Sequence, residues 1–379
     1  MTSVFYVEPE LVIALNRSVI FVNPNDLQIF KEIILPEDLT SCGLKEGGNV
    51  NNEDNEQGDE KTTHKQNLTK ELPTIQHVKM SPNRQLVAIT TSGQKAVLLY
   101  TLRPELAKLV SIRNLARASS AITFSADSKR LLVCDKTGDC YEYSCEDFEA
   151  APKILLGHLS IVYDVLWSAD EKYIVTCDRD DKIRVTNYPE TAEIHTYCLG
   201  HKEFVAGMAL LNENTLLSVS GDKTLKLWNY KEGKELKTIE LPAPGIKLAL
   251  KCHNSNKFEL AVLLHQPNEC VVQYEITQGE NGQWEFSVGE VLNFPDVICC
   301  NLAYAGERLY VVGVVNDHLT IRLSPQSPEP PTNWLSVIEE QFKDYTWTPE
   351  DISAWFKKKF DNVSEYLERK KRRIEEKQK

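Results

Sequence analysis

The sequence predicts an all-β protein, a ring of seven small antiparallel sheets followed by a helical extension. Three observations carry this prediction. A Gly-His dipeptide and a serine-led turn recur at intervals of 42–44 residues. Short apolar runs alternate with polar turns inside each interval, which is typical of half-buried strands. Seven intervals of this length, with one insertion and one tail, account for almost all of the 379 residues.

Three markers define the repeat. Gly157-His158 returns 43 residues later as Gly200-His201, and residues 178–188 match residues 220–230 at a displacement of 42. The turn signals are Ser81-Pro82-Asn83, Ser125-Ala126-Asp127 and Ser168-Ala169-Asp170. A period of about 40–45 residues, with Gly-His near its start and Trp-Asp-like residues near its end, is typical of the WD-repeat blade. The sequence therefore predicts a seven-bladed WD-repeat β-propeller.

The blades differ in how distinct their sequences are. Two are degenerate, at 246–276 and 298–323. The seventh consists of apolar runs between residues 11 and 21, and we expect a strand from the other end of the domain to complete it, because an open ring leaves sheet edges unpaired. Residues 1–325 are therefore assigned to the propeller. The four distinct blades are 75–102, 121–145, 157–189 and 200–230.

One insertion interrupts the propeller, at residues 41–70. Between Glu46 and Glu60 it holds six acidic residues, no basic residue and almost no apolar one. Such a segment buries too little apolar surface to offset the entropy lost on ordering. We expect a disordered, solvated acidic loop here rather than an acidic recognition element.

The period of the apolar residues changes after the proline-rich stretch 324–331. Residues 333–342 carry apolar side chains at helical spacing, namely Trp334, Leu335, Ile338 and Phe342. A second helix is predicted to start at residues 348–351, where a threonine cap, a proline and two acids coincide. The segment from Lys357 to Lys379 holds ten bases and five acids, a net charge of +5. Residues 332–379 are therefore predicted to form C-terminal helices with a basic tail.

Composition narrows the classes of function. The chain is 42% hydrophobic and 26% charged, which excludes a mainly disordered protein and a coiled coil. No window of 18 apolar residues is present, so no membrane span is predicted. The formal net charge of −12 argues against a protein that grips nucleic acid by itself, but not against a subunit that supports a basic partner.

No motif for catalysis or metal binding stands out. The chain has no glycine-rich phosphate loop, no Gly-x-Ser-x-Gly elbow and no helical His-Glu-x-x-His. Its ten cysteines include no C-x-x-C pair, so we predict thiols in a reducing compartment and no structural metal. Residues that fit the repeat receive structural roles in the blades: His158, His201, Asp222 and Trp228. We predict a protein that is not an enzyme and has no cofactor of its own.

The most unusual stretch runs from Asp178 to Arg184. Three acids in four residues suggest a hard-metal site, but the interleaved bases argue against a bound cation. Two interpretations stay open. The stretch is either a charged turn between two outer strands, or a docking patch in which charges of both signs set partner choice and register.

Three strings around this stretch resemble a known family. They are LGHLS at 156–160, IVTCDRDDKIRV at 174–185 and CLGHKEFV at 198–205. Together they resemble the WD-repeat, non-catalytic subunit of tRNA (guanine-N7-)-methyltransferase, most strongly over about 155–230. The second string is the specific one, because general WD turns read more like residues 220–224. One departure concerns the blade itself, since Thr186 stands where the next blade has Trp228.

The resemblance implies a scaffold rather than an enzyme. In the family, the propeller holds and stabilises a separate catalytic subunit as a heterodimer, and that subunit would bind S-adenosylmethionine. The enzyme forms N7-methylguanosine at position 46 in the variable loop of tRNA, which this chain would reach through the complex. By position, the implied partner-binding residues are Asp178, Arg179, Asp180, Asp181, Lys182 and Arg184, with Arg184 as the main ionic anchor.

The basic run near the C-terminus has three interpretations. Its residues are Arg369, Lys370, Lys371, Arg372 and Arg373. They form a solvated helix end, a contact to tRNA phosphates held by the partner, or a nuclear import signal. We expect a nuclear location, with the cytoplasm as an additional one.

Two other functions compete with the scaffold. A general WD-repeat adaptor in a chromatin or ubiquitin-ligase assembly would bind its partners at the central face of the ring. A propeller hydrolase would need acids or histidines that converge on the central channel, and we expect none at repeat-matched positions. The scaffold of a methyltransferase is the function that the sequence favours.

Overall fold

The computed structural model describes residues 3–7, 10–24, 28–45, 71–102, 107–265, 269–324, 334–348, 351–357 and 370–371. These residues form seven antiparallel sheets, six with four strands and one with three. Hydrogen-bonded strands follow one another in sequence, so each sheet is a meander. The sheets, numbered blades 1–7 in chain order, surround a central channel lined by their inner strands. The predicted seven-bladed all-β propeller is confirmed.

The first three blades are formed by residues 3–157. Blade 1 contains β1 (Ser3–Val7), β2 (Glu10–Leu15), β3 (Ser18–Val22) and β4 (Ile29–Ile34). Blade 2 contains β5 (Thr74–Met80), β6 (Leu86–Ser92), β7 (Ala96–Thr101) and β8 (Lys108–Asn114). Blade 3 contains β9 (Ser119–Phe124), β10 (Arg130–Asp135), β11 (Asp139–Ser144) and β12 (Lys153–Gly157).

Residues 162–324 form the other four blades. Blade 4 contains β13 (Val162–Trp167), β14 (Tyr173–Asp178), β15 (Ile183–Asn187) and β16 (Ile194–Cys198). Blade 5 contains β17 (Val205–Leu210), β18 (Thr215–Ser220), β19 (Thr224–Asn229) and β20 (Lys234–Glu240). Blade 6 contains β21 (Gly245–Asn254), β22 (Lys257–Leu264), β23 (Glu269–Gln278) and β24 (Trp284–Asn293). Blade 7 contains β25 (Ile298–Ala305), β26 (Arg308–Val315) and β27 (His318–Ser324).

The serine-led turns recur in the structure with one geometry. The hydroxyl oxygens of Ser81, Ser125 and Ser168 each accept the amide hydrogen of the residue five positions later, at 2.9–3.0 Å. Each hydroxyl also donates to the Asn or Asp side chain two positions on. The repeat therefore reflects a turn that is closed by the serine side chain between the first and second strands of a blade.

The Gly-His dipeptide links neighbouring blades. His158 directly follows β12, the outer strand of blade 3, yet its ring bonds to Thr176 and Asp178 of blade 4. A blade of the structure therefore begins a few residues after the corresponding unit of the sequence repeat.

Ring closure differs from the prediction. The sequence predicts that a strand from the far end of the domain completes blade 1, whereas all four strands of this blade come from residues 3–34. The physical reason is local, because β1 pairs with β2 as a hairpin in which Ser3 faces Ala14. β1 therefore occupies the place in the sheet that is predicted for a strand from the far end of the domain.

Helix α1 (Trp334–Gln341) lies over the junction between blades 1 and 7. Ile338 and Phe342, on and just after this helix, are fully buried in a core shared by both blades. The carboxylate of Glu339 accepts a hydrogen bond from Thr320 in blade 7 at 2.9 Å, and Gln341 donates one to Glu32 in blade 1. A helix and shared apolar packing therefore join these two blades.

Among the described residues after α1, the C-terminal extension contains less regular structure than predicted. Instead of a long second helix, a 3-10 helix spans Ile352–Trp355, capped by the Asp351 side chain, and Phe356 leaves it in an extended conformation. The remainder of this prediction falls largely outside the described residues. Within the predicted insertion, residues 41–45 are described, and Ser41 and Cys42 end a 3-10 helix, Leu39–Cys42. Residues 46–70, with the acidic run, lie outside the described part.

Two cysteines depart from the prediction of free thiols. Cys134 in β10 and Cys140 in β11 are cross-strand partners, with Cα atoms 4.1 Å apart, and form a disulfide. The other eight cysteines, all among the described residues, form no disulfide.

Candidate docking site on blade 4

The charged stretch of the sequence forms the turn between β14 and β15, the second and third strands of blade 4. Asp178 ends β14 and is only 3% exposed. Its Oδ1 atom accepts the amide hydrogens of Asp180 at 2.9 Å and Lys182 at 3.1 Å, while Oδ2 lies 3.0 Å from His158 Nδ1. Burial opposes ionisation, but these hydrogen bonds outweigh it and hold the pKa of Asp178 below its usual value. Asp178 therefore fixes the shape of the turn from inside.

Arg184 also points into the blade. The residue is 8% exposed, and its guanidinium donates to Thr186 Oγ1 at 3.2 Å and to the Gly157 carbonyl at 3.0 Å. Burial lowers the pKa of Arg184, while Tyr197 and Asp178 favour its charge. The sequence-based hypothesis makes Arg184 the main ionic anchor for a partner, but in the structure two of its donors bind the propeller itself, one at Thr186 of blade 4 and one at Gly157 of blade 3.

Three charged side chains of the same turn face outward. Lys182 is exposed, and Arg179 and Asp180 are partly exposed. Within the described part of the chain, no ion pair or side-chain hydrogen bond engages any of these three charged groups. The turn therefore presents two bases and one acid on a backbone that Asp178 holds rigid.

In the corresponding turn of blade 5, the acid that pairs with the histidine is Asp222. His201 Nδ1 lies 3.0 Å from Asp222 Oδ2, and His201 Nε2 lies 2.7 Å from Ser218 Oγ, which also accepts from Trp228 Nε1 at 2.8 Å. Burial raises the pKa of Asp222, but hydrogen bonds from His201 and Thr224 dominate and lower it to about 2. The structure places His201, Asp222 and Trp228, like His158 in blade 4, in interior networks of their blades.

Strand register shows how the two turns differ. It aligns Asp178 with Ser220, and Thr186 with Trp228, across the two blades. In the intervening turn, Asp180 takes the position of Asp222. The acid that holds the histidine has thus moved two residues back in blade 4, to the strand end, and Asp180 is left outside the network.

Exposed apolar side chains lie next to this turn in the blade. Leu159 is fully exposed and directly follows His158, while Leu199 is 63% exposed and follows Cys198, the pairing partner of Ile183. Exposed leucines beside uncommitted charges are typical of protein-binding surfaces. The sequence analysis did not single out these leucines, although each directly flanks a Gly-His motif.

A segment of the C-terminal extension, residues 352–357, packs beside the turn, and we name it the C-terminal clasp. The Trp355 ring stacks on Tyr163 with centroids 4.5 Å apart. Phe204 meets Trp355 edge-on at 5.4 Å and Phe356 at 5.0 Å. The clasp therefore bridges the inner strand of blade 4 and the entry to blade 5.

Lys357 connects the clasp to the charged turn. Its ammonium forms an ion pair with Asp181, and its backbone amide donates to the Glu203 carboxylate at 3.0 Å. Of the predicted basic run, Lys370 and Lys371 are helical and exposed. The other three members, Arg369, Arg372 and Arg373, lie outside the described residues.

Neither a candidate metal centre nor a membrane-spanning helix occurs among the described residues. No group of three or more His, Cys, Asp and Glu side chains among them could hold a metal ion. No helix in the described ranges has both the length and the apolar character needed to cross a bilayer.

Comparison with known proteins identifies the family. The family model for the tRNA methyltransferase TRM82 WD40 domain matches residues 45–153 and 143–273. The chain is 51% identical over 400 residues to the tRNA (guanine-N(7)-)-methyltransferase non-catalytic subunit wuho of Drosophila mojavensis, covering 100% of this chain and 99% of that protein. It is 45% identical to the protein of the same name from Drosophila melanogaster, covering 100% and 98%.

A solved structure supports the fold alone. A chain of the crystal structure of the mitotic checkpoint complex superposes with a TM-score of 0.62 at 14% identity, over 85% of this chain and 86% of that one. The sequence relatives carry the assignment. This chain belongs to the family of WD-repeat, non-catalytic subunits of tRNA (guanine-N7-)-methyltransferase.

Proposed function

We propose that this chain is the scaffold that holds and stabilises a separate catalytic subunit of tRNA (guanine-N7-)-methyltransferase as a heterodimer. The observation that carries this proposal is full-length similarity to proteins named as the non-catalytic subunit. The chain itself performs no catalytic step. The competing function, a general WD-repeat adaptor in a chromatin or ubiquitin-ligase assembly, has no support from these relatives.

The chemistry belongs to the partner in this proposal. The catalytic subunit binds S-adenosylmethionine and forms N7-methylguanosine at position 46 of the tRNA variable loop. This chain reaches tRNA through the complex, with the exposed Lys370 and Lys371 as the described part of a basic tail that adds phosphate contacts. The same basic run supports a nuclear location.

The charged turn of blade 4 is the proposed docking site. Its outward charges, Arg179, Asp180 and Lys182, set the orientation of the partner, because charges of both signs reject a misaligned surface. Leu159 and Leu199 supply apolar area, and burial of one leucine side chain contributes about 1.5–3 kcal/mol. Asp178 and Arg184 act from inside by holding the turn in shape, and Asp181 is shared with the C-terminal clasp.

A charge reversal on the exposed part of the turn tests the docking site. Lys182→Glu changes an exposed residue, so its free energy of unfolding is expected to stay within about 0.5 kcal/mol of the wild-type value. Lys223→Glu is the matched control, because Lys223 is an exposed lysine in the corresponding turn of blade 5. Both variants are co-expressed with the catalytic subunit, and captured complex and N7-methylguanosine in tRNA are quantified.

The outcomes separate the function from the site. Lys182→Glu should reduce capture and methylation, while Lys223→Glu should leave both unchanged. Equal capture by wild type and Lys182→Glu would place the interface elsewhere on the ring. Failure of the wild-type chain to capture the catalytic subunit would overturn the scaffold function itself.

A further inference from the structure

The central channel brings together polar side chains that the proposed function does not use. In blades 2, 4, 6 and 7 the inner strand carries a bulge, and the residue that follows it lines the channel: His77, Asp164, Lys247 and Asn301. The sequence-based expectation of no acid or histidine at matched channel positions is therefore wrong. The repeat is too weak in the degenerate blades for these positions to be matched in the sequence, and only the strand pairing of the structure aligns them.

Two lysines face this channel from different blades. Lys79 lies on β5 in blade 2, and Lys247 lies on β21 in blade 6. The Lys79 side chain is exposed to the channel, but desolvation by the surrounding protein lowers its pKa. Lys247 lowers the pKa of Lys79 further, whereas Asp164 raises it. Within the described part of the chain, neither ammonium group has a hydrogen-bond or ion-pair partner.

The nearby Asp164 does not neutralise both lysines. Its carboxylate accepts the amide hydrogens of Met208 in blade 5 and of Val165, each at 2.9 Å, so it is tied to the backbone of the channel wall. Burial lowers the pKa of His77 to about 3, which leaves its imidazole uncharged at neutral pH. The channel thus holds two lysines against one carboxyl group, and burial raises the pKa of that carboxyl group above its usual value.

We propose that the channel binds a phosphate-class oxyanion between Lys79 and Lys247. The cavity has a volume of about 380 Å³, which accommodates phosphate together with water. Gly207 in the channel wall leaves room beside Asp164, because a Cβ added there would lie 3.9 Å from the Asp164 Oδ2 atom. Ammonium–oxyanion hydrogen bonds are charge-assisted and therefore stronger than neutral ones. The oxyanion is a free ion or the phosphate of a nucleotide, since both offer the same group to the lysines.

Calorimetric titration of the full chain tests this site. Inorganic phosphate and adenosine monophosphate are titrated at low ionic strength into wild type, Lys79→Gln/Lys247→Gln and the control Lys202→Gln/Lys234→Gln. The control removes two exposed lysines outside the channel and equals the channel variant in net charge. We expect saturable phosphate binding by wild type and control, weakened at least about tenfold in the channel variant. Phosphate alone as ligand identifies a free-ion site, and binding of both ligands identifies a site open to monoesters.

A second readout removes the general effect of salts. Phosphate stabilises most proteins by exclusion from their surface, and this effect persists in every variant. A bound ion adds stabilisation by mass action, so the melting temperature of wild type should rise more with phosphate than that of the channel variant. Single variants Lys79→Gln and Lys247→Gln replace the double variant if it does not fold. Equal phosphate affinity in wild type and channel variants, or no saturable binding up to about 10 mM, overturns the proposal.

Discussion

Blades 4 and 5 share one strand register and use it for different purposes. In blade 5, Asp222 and Trp228 both turn inward and complete a hydrogen-bonded network around His201. In blade 4 the acid that holds the histidine is Asp178, two positions earlier, and Thr186 replaces the tryptophan. In blade 5 the acid of the turn therefore belongs to the hydrogen-bonded network inside the blade. In blade 4 the corresponding network ends at Asp178, the last residue of β14, and the charged side chains of the turn lie outside it.

The difference between the two blades shows how one repeat leaves the charged groups of a turn exposed without losing its fold. Moving one carboxylate by two residues keeps the histidine bonded and releases the turn. The space given up by tryptophan is partly used by Arg184, which bonds to Thr186 and Gly157. The same kind of substitution should therefore have different consequences in the two blades.

Removal of the blade 5 tryptophan should have the largest effect. Trp228 is fully buried and donates to Ser218 Oγ, so Trp228→Ala creates a cavity and leaves a buried hydroxyl without one partner. We expect a loss of about 3–5 kcal/mol in the free energy of unfolding, measured by urea denaturation. Thr186→Ala, at the matched position of blade 4, should cost much less. A Trp228→Ala variant that lost under about 1 kcal/mol would remove the basis of the comparison.

Restoring the tryptophan in blade 4 should also destabilise the protein. Thr186 is fully buried and its hydroxyl accepts from Arg184, so Thr186→Trp must displace that guanidinium. Overpacking of this kind costs about 1–3 kcal/mol, measurable by the same denaturation. Capture of the catalytic subunit should weaken as well, because the turn loses its inner support. A Thr186→Trp variant more stable than wild type would mean that blade 4 has room for the missing tryptophan.

Sequence reasoning went furthest where the repeat is regular. The serine-led turns and Gly-His motifs located blades and assigned His158 and His201, because each marks a local hydrogen bond that recurs with the period. The prediction of how the ring closes is wrong. Whether β1 pairs locally depends on the hairpin at residues 3–15 and not on the repeat.

The direction of a side chain is harder to predict than its place on a turn. Asp178 and Asp180 are alike in sequence, yet one points inward and the other outward, since this depends on which acid reaches His158. Lys79 and Lys247 are separated by 168 positions and face the same channel only because the ring is closed. No local sequence pattern predicts this arrangement.

Lowering the pH should reveal how much the charge of Asp222 in blade 5 contributes to the free energy of unfolding. The pKa of Asp222 is lowered to about 2 in the folded protein, from an ordinary value near 3.8. Its stabilising contribution is therefore complete above about pH 5 and is lost as the pH falls towards 2, by roughly 2 kcal/mol at most. In Asp222→Asn this part of the pH dependence should vanish. Asp180→Asn, at the aligned position of blade 4, is the control and should titrate like wild type.

The smallest effect is expected at the clasp, where Lys357 occupies Asp181 of the docking turn. Both partners are partly exposed, so Lys357→Ala should change the free energy of unfolding by under about 1 kcal/mol. It should nevertheless alter docking, because Asp181 then joins Asp180 on the outward face, which lowers the outward charge of the turn from +1 to zero and reduces its repulsion of a basic partner. We expect a modestly faster association with the catalytic subunit at low salt, absent at high salt.

A double variant decides whether this effect runs through Asp181. In Lys357→Ala/Asp181→Asn the freed charge is gone, so the association rate should return to about that of wild type. If both variants associate equally fast, the partner does not sense Asp181, and the change reflects a loosened clasp instead. Because Lys357 also binds Glu203 through its backbone amide, which alanine retains, the clasp should stay in place. The turn of blade 4 then differs from that of blade 5 in one further respect, since its outward charge is set by another part of the chain.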